Sequence, residues 1–264
     1  MSMRADVFLT ENNYVPSRQR ARTLIDGGFV TVDGKTVPKA SFPISEGEHK
    51  VEIRDPLAFV GRGGLKLEGA LNAFSLDVSG FFAVDIGAST GGFTDCLLQR
   101  GASKVCAVDA GVGQLAQKLC RDARVVSLEH KNARELTLDD IGGELADLVV
   151  MDVSFISATY IIPRFPAVLR RGGHAVVLIK PQFEVGRQML GKGGIVKDPK
   201  AHAMAVHRVA ESGMSVGLVP MGLIPSPIAG GDGNREFLIH FIYQTEETAR
   251  VDDALIHRVT SPAH

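Results

Sequence analysis

The chain has 264 residues, 45% of them hydrophobic and 22% charged, with a formal net charge of −1. That length suits one full α/β domain plus a small accessory one, and the composition excludes the disordered and fibrous classes. The near-neutral charge excludes a global field as the means of binding nucleic acid, which leaves local patches, and no apolar stretch is long enough to span a bilayer. Cys96, Cys106 and Cys120 form no Cys-x-x-Cys pair and have no clustered histidines. No metal site is expected, and the three read as reduced core thiols of a cytoplasmic protein. The opening Met1-Ser2-Met3-Arg4-Ala5-Asp6 lacks the basic-then-apolar build of a signal peptide.

In chain order, Ser17 is the expected N-cap of a helix through Asp26, stopped at Gly27-Gly28. Ala21, Leu24 and Ile25 share one face of it, which turns Arg18, Arg20 and Arg22 outward. An Asp33-Gly34 pair inside Val30-Thr31-Val32-Asp33-Gly34-Lys35 signals a hairpin. Between residues 16 and 40 five basic residues (Arg18, Arg20, Arg22, Lys35, Lys39) face two acids, although residues 1–55 as a whole are balanced, eight against eight. The excess suits a phosphate-contacting face, to which Arg4 is added; the plain alternative is a solvated helix face. The helix, the Arg-rich helix Val15-Pro16-Ser17-Arg18-Gln19-Arg20-Ala21-Arg22 and the Asp-Gly hairpin together resemble the S4 RNA-binding module. Residues 1–58 are therefore expected as an S4-like α+β domain with a linker, the connector running from Arg54 to Ala58 through Pro56.

Residues 59–245 are expected as the main domain, and 246–264 as a polar tail or short helix. Short apolar runs near 81–85, 104–109, 124–128, 147–151 and 174–179 read as buried parallel strands separated by helices. Runs near 214–224 and 235–243 have only Pro- and Gly-rich sequence between them, so they are expected to pair antiparallel. The result is an α/β fold with a mostly parallel seven-stranded sheet and an antiparallel last strand.

Strand 81–86 leads into Asp85-Ile86-Gly87-Ala88-Ser89-Thr90-Gly91-Gly92-Phe93, and the next strand ends at Asp109, 24 residues after Asp85. A tight turn and two acids without a Gly-x-Gly-x-x-Gly phosphate cradle suit S-adenosylmethionine better than NAD. Asp85, Gly87, Ser89 and Gly92 are the candidate turn contacts, Asp109 the ribose ligand and Asn132 the partner of the adenine edge. Topology brings Asp152, Lys180 and Glu236 to the same sheet edge, and Lys66 sits in a Gly-rich turn free to join them. Singly, each reads as a rim residue, or for Asp152 as the cap of a helix near Ser154. Together they have the order of the Lys-Asp-Lys-Glu tetrad of ribose 2′-O-methyltransferases. Lys180 is assigned to activate the hydroxyl, with Asp152 orienting it and Lys66 and Glu236 completing the network.

Other chemistries fit less well. Asp152-Val153-Ser154-Phe155 is not the Asp/Asn-Pro-Pro-Tyr/Phe of base-amino methylation, and no cysteine follows Cys120 for carbon-5 methylation. Gly186-x-x-x-x-Gly191-Lys192 approaches a P-loop, but Gly193 replaces the Mg²⁺-holding Ser/Thr. Residues 186–197 are expected as a mobile basic loop, where Arg187 and Lys192, with Arg62 nearby in sequence to Lys66, could guide RNA.

The chain resembles the TlyA, or hemolysin A, family of ribosomal RNA methyltransferases from Arg4 to about Tyr243. Phe59-Val60-Gly61-Arg62-Gly63-Gly64-Leu65-Lys66-Leu67, the Asp85 turn, Met151-Asp152-Val153-Ser154-Phe155-Ile156-Ser157, Leu178-Ile179-Lys180-Pro181-Gln182-Phe183-Glu184 and Gly233-Asn234-Arg235-Glu236-Phe237 carry the likeness. The resemblance implies 2′-O-methylation of cytidine, with S-adenosylmethionine as cofactor and ribosomal RNA or ribosomal subunits as partner. It leaves the target nucleotide, subunit and oligomeric state open. Family members carry Arg-x-Trp-Val in the linker where this chain has Leu57-Ala58-Phe59-Val60 and no tryptophan. Competing classes are a non-catalytic RNA-binding factor on the same fold, a membrane-lytic protein and an S4-bearing pseudouridine synthase. The tetrad and cofactor turn argue against the first and last, and the lack of an amphipathic or spanning segment against the second.

Overall fold

A computed structural model describes the whole chain except residues 1, 13, 16, 27, 46, 48, 54–58, 231, 232, 245 and 262–264. The predicted stop at Gly27, Pro16 of the Arg-rich motif, the connector with Pro56, and Leu57-Ala58 lie outside the described residues. The chain divides into two compact units, residues 1–58 and 59–264.

The first unit contains β1 (Ser2–Arg4), α1 (Ala5–Glu11), α2 (Arg18–Asp26), β2 (Val30–Val32), β3 (Lys35–Thr36), β4 (Pro43–Ser45) and β5 (Val51–Ile53). Ser17 Oγ accepts from Arg20 N at 3.2 Å, which makes it the cap that the sequence predicts. Ala21, Leu24 and Ile25 bury against Leu9 and Val30. Asp33 and Gly34 have φ of 51° and 76°, the pair of left-handed residues that a two-residue hairpin between β2 and β3 needs.

The second unit runs α3 (Gly63–Ala73), β6 (Phe82–Ile86), α4 (Gly92–Gln99), β7 (Lys104–Val108), α5 (Gln117–Cys120), β8 (Val125–Leu128), β9 (Ala146–Met151), α6 (Phe165–Val168), β10 (Leu169–Ile179), α7 (Pro181–Glu184), α8 (Pro199–Met214), β11 (Leu218–Pro225), β12 (Phe237–Tyr243) and α9 (Asp253–Thr260). Among the described residues these strands form one seven-stranded sheet in the order β11-β12-β10-β9-β6-β7-β8. β12 runs antiparallel to both its neighbours, and the other paired strands are parallel.

Side-chain alternation assigns the two faces of the sheet. Val84, Ile86, Val149, Met151, Val177, Ile179 and Ile239 enter one apolar cluster; Ala83, Leu148, Val150, Val176, Leu178 and Leu238 enter the other. Strands buried on both faces must read as continuous apolar runs, which is why they were legible as runs and not as alternations.

Three expectations need correction. Lys66 is not in a free turn: Gly63 and Gly64 open α3, and Lys66 lies on its first turns, buried. Cys96 and Cys106 are core thiols, pushed up to about 12 by burial, but Cys120 is exposed. The 186–197 loop is anchored at its far end, because Asn234 Oδ1 accepts from Val196 N and Asn234 Nδ2 donates to Gly194 O, and Val196 is buried. The C-terminal segment forms the short helix, one of its two expected forms. Helix α9 buries Ile256 and Thr260, and the Arg235 guanidinium donates to the carbonyls of Val259, Thr260 and Ser261 at its end.

His174 of β10 and His240 of β12 stack with ring centroids 5.2 Å apart and Nδ1 to Nε2 at 3.0 Å, flanked by Phe81 and Phe74. Burial depresses the basicity of both rings, and a charge on either further disfavours one on the other. A histidine kept neutral by folding binds its proton only on unfolding, so stability is complete above the unfolded value near 6.5 and falls as pH drops below it. The slope is about 1.4 kcal/mol per pH unit for each such group. Thermal unfolding followed from pH 7.5 to 5 is expected to show a shallower loss in His240→Leu than in the wild type; parallel curves would remove the pair as the cause.

Candidate active site

In a doubly wound sheet the ligand crevice opens where the chain reverses its direction of winding, at the carboxyl ends of the strands. Here that point lies between β6, which continues to β7 and β8, and β9, from which the sheet grows the other way. Asp152 N donates to Ile86 O at 2.9 Å, so the two strand ends are tied together. Gly87 follows with φ of 83°, and a Cβ there would stand 2.5 Å from the carbonyl oxygen of Asp152. Both conformation and space therefore require glycine. Gly92 is equally enclosed: its Cβ would meet Gly64 N at 2.9 Å, because the start of α3 lies against the start of α4.

Asp85, one of the candidate turn contacts, is fully buried behind the turn and lines neither cavity described below. Its Oδ2 accepts from Thr94 N at 2.9 Å and from Thr94 Oγ1 at 2.6 Å, and Oδ1 has no protein partner. Burial, opposed by the Thr94 bonds and aided by the charge of Asp152, pushes this carboxyl up to about 7. Asp85 thus anchors α4 beneath the turn.

Of the other predicted cofactor residues, Gly87, Ser89, Asp109 and Asn132 line a cavity of about 420 Å³, and Gly92 lines the smaller cavity beside it. Gly87, Ser89, Asp109 and Asn132 contribute polar edges, and Val108, Ala110, Ala133, Ile156 and Ile161 contribute apolar walls. Asp109 is held by two backbone amides, with Ser89 N on Oδ2 at 2.8 Å and Gly111 N on Oδ1 at 2.7 Å. That fixes its carboxylate at the cavity edge. Asn132 caps the short turn Ala133–Glu135 through Arg134 N and donates to Glu135.

A second cavity, lined by Gly63, Gly87, Ser89, Gly92, Asp152, Ser154 and Lys180 among others, shares Gly87, Ser89, Asp152 and Ser154 with the first. At its rim the Lys180 ammonium lies 2.6 Å from Asp152 Oδ1 but off the line of a directed hydrogen bond to it; its directed bond goes to Ser154 Oγ at 2.7 Å. Lys66 Nζ donates to Glu236 Oε2 at 2.5 Å, with both residues buried. The start of α3 lies against the first pair: a Cβ at Gly63, one turn before Lys66, would sit 3.7 Å from Asp152 Oδ2. Asp152 caps no helix; the turn after it, Ala158–Tyr160, is capped by Ser157.

Three residues here carried no role in the sequence reading. Ser154 sits between Asp152 and Phe155 and holds Lys180. Glu184 is buried; its Oε2 accepts from Ser157 Oγ at 2.5 Å and its Oε1 from Ala158 N at 2.8 Å, which joins the segment after β9 to the segment after β10. Burial raises its carboxyl above the ordinary range. Phe155 has φ of 65° and is 92% exposed, its ring 5.4 Å from that of Phe183. An aromatic residue held in the left-handed region and in water is strained and unburied at once.

The predicted basic residues fall in both units. Lys35 and Lys39 are exposed near the hairpin, Arg20 is partly buried on α2, and Arg4, Arg18 and Arg22 converge on Asp6. Arg62, Arg187 and Lys192 are exposed in the second unit, where Arg62 Nη2 also donates to Ala229 O. The described end of the linker is fixed: Phe59 is buried against Gly64, and Val60 N donates to Asp95 Oδ2 at 2.7 Å.

Comparison with known proteins agrees with this geometry. Residues 59–243 match the FtsJ-like methyltransferase family and residues 3–49 the S4 domain. The 16S/23S rRNA (cytidine-2′-O)-methyltransferase TlyA of Mycobacterium tuberculosis is 42% identical, covering 98% of this chain and 97% of its own. Hemolysin A of Brachyspira hyodysenteriae is 40% identical over 91% of this chain and all of its own. A solved structure from Streptococcus thermophilus, named for hemolysin, superposes with a TM-score of 0.77 at 38% identity, covering 98% of this chain and 94% of that one. The chain belongs to the FtsJ-like methyltransferase family and carries an S4 domain before its catalytic fold.

Proposed function

We propose that this methyltransferase moves the methyl group of S-adenosylmethionine to the 2′-hydroxyl of a cytidine ribose in ribosomal RNA. The observation that carries the reading is the contact of Lys180 with Asp152 at the rim of the smaller cavity, which shares Asp152 and Ser154 with the nucleoside-sized one, together with the buried Lys66–Glu236 pair that starts from α3. The relative from Mycobacterium tuberculosis, similar over nearly the full length, bears the name of that reaction. The residues present fit the cofactor. Asp109 offers a fixed carboxylate for a ribose diol, and the apolar walls suit an adenine. When bound, S-adenosylmethionine supplies an electrophilic methyl on a sulfonium.

The protein's part is positioning and proton management. Uncharged, the Lys180 amine takes the 2′-hydroxyl proton as the oxygen gains its methyl; Ser154 and Asp152 hold the nitrogen at the cavity rim and stabilise the ammonium that forms. Lys66 and Glu236 neutralise each other in a buried position and brace α3 over the site. Phe155, backed by Phe183, offers its face to the unstacked target base. No helix among the described residues is long and apolar enough to cross a membrane, so helix length lends nothing to a lytic reading.

Lys180→Ala is expected to lower the rate of methyl transfer at least about 100-fold, the usual range for a proton-accepting group, while isothermal titration shows cofactor affinity nearly unchanged. Retained activity would remove Lys180 from the chemistry. Phe155→Ala is expected to weaken kcat/KM for RNA about tenfold, in line with loss of one stacked base, without affecting cofactor binding. Asp109→Ala is expected to do the reverse, weakening cofactor binding in titration while direct RNA binding holds; equal loss of both would point to collapse of the turn.

A further inference from the structure

Asp6, which no motif singled out, is fully buried in the first turn of α1. Three guanidinium groups reach it. Arg4 Nε donates to Oδ1 at 2.9 Å and Arg4 Nη2 to Oδ2 at 3.2 Å; Arg18 Nη2 and Arg22 Nε each donate to Oδ2 at 3.1 Å. The Arg4 contact first, then those of Arg18 and Arg22, hold the carboxyl far below its ordinary range despite burial. The arginine side chains themselves stay 48, 53 and 52% exposed.

The arrangement is more than a buried acid needs. One carboxylate neutralises one of three cations, leaving two positive charges in a space where guanidiniums repel. Arg18 and Arg22 are also four apart on one helix face, where like charges disfavour each other. A guanidinium fork uses one edge on a carboxylate and keeps donors free to grip a phosphate. We infer that Asp6 is a positioning residue that gathers Arg4, Arg18 and Arg22 into one preorganised site for phosphates of the RNA backbone. This rests on the RNA methyltransferase reading and adds to it the device that orders the S4 face. Asp6 touches no RNA: it acts by cutting the rotamer freedom that the arginines lose on binding.

The test exploits a sign. If these arginines attracted RNA merely as charge, Asp6→Asn, which removes a negative charge, would bind RNA more tightly. If Asp6 orders them, the same change weakens binding. Fluorescence anisotropy of the full chain with a labelled stem–loop RNA is measured across a salt series for wild type, Asp6→Asn, Arg18→Gln and the double variant. Asp6→Asn is expected to bind about fivefold more weakly, with the slope of log affinity against log salt shallower by roughly one phosphate contact. The double variant should lose less than the sum of the singles. Equal or tighter binding by Asp6→Asn with an unchanged slope overturns the inference. Should thermal unfolding show that Asp6→Asn disrupts the unit, Arg22→Lys replaces it: charge is kept and the fork lost. Weaker binding then supports the assignment, and unchanged binding overturns it. Absence of salt-dependent RNA binding by the wild type overturns the RNA reading itself, and this inference with it.

Discussion

The carboxyl ends of β6 and β9 approach so closely that the first residue beyond β6 has no room for a side chain. Gly87 faces the Asp152 carbonyl, and the Asp152 amide bonds back to Ile86. This contact sets where the two cavities merge, and it fixes Asp152 on the same few ångströms of backbone as the glycine turn after β6. The position of Lys180 follows from the parallel pairing of β10 with β9, and that of Glu236 from the antiparallel entry of β12 beside β10. A shift of one residue in either register would turn its reactive side chain to the other face.

Around this point the fold gives chemically identical groups different tasks by environment. Asp85, desolvated and bonded only through one oxygen, is raised to about 7 and holds α4 in place. Asp109 is fixed by two amides at a cavity edge. Asp152 and Glu236 each meet a lysine. Glu184, buried among neutral donors, ties together the two segments that carry Asp152 and Lys180. Removing a partner from such a buried contact leaves a polar group unsatisfied, which costs more than the contact itself contributes.

Much of this was legible in the sequence because it depends on local chemistry and simple topology. The Asp33-Gly34 turn, the continuous apolar strands and the glycines after β6 are read from period and residue type. The gathering of Asp152, Lys180 and Glu236 at one edge follows from strand direction alone. What stayed hidden depends on burial across long sequence separations. Nothing in the sequence around Asp6 marks it, because its partners Arg18 and Arg22 reach it only when α1 and α2 pack. Glu184 reads as the end of a motif, but its function arises from Ser157, 27 positions earlier. Lys66 looked free because Gly63-Gly64 suggested a turn, yet glycines there let α3 approach α4. Asn234 and Arg235 pin the 194–196 loop and α9 only once β12 is in place.

On the reading proposed above, Lys180 and Asp152 serve transfer of the cofactor's methyl to a ribose oxygen and not to a base. Separated ribosomal subunits from cells lacking this gene, incubated with the enzyme and methyl-labelled S-adenosylmethionine, can be digested to nucleosides and resolved by mass spectrometry. Label is expected in 2′-O-methylcytidine and is expected to be absent with Lys180→Ala. Label in a base-methylated nucleoside, or none in RNA while the cofactor still binds, would contradict that reading.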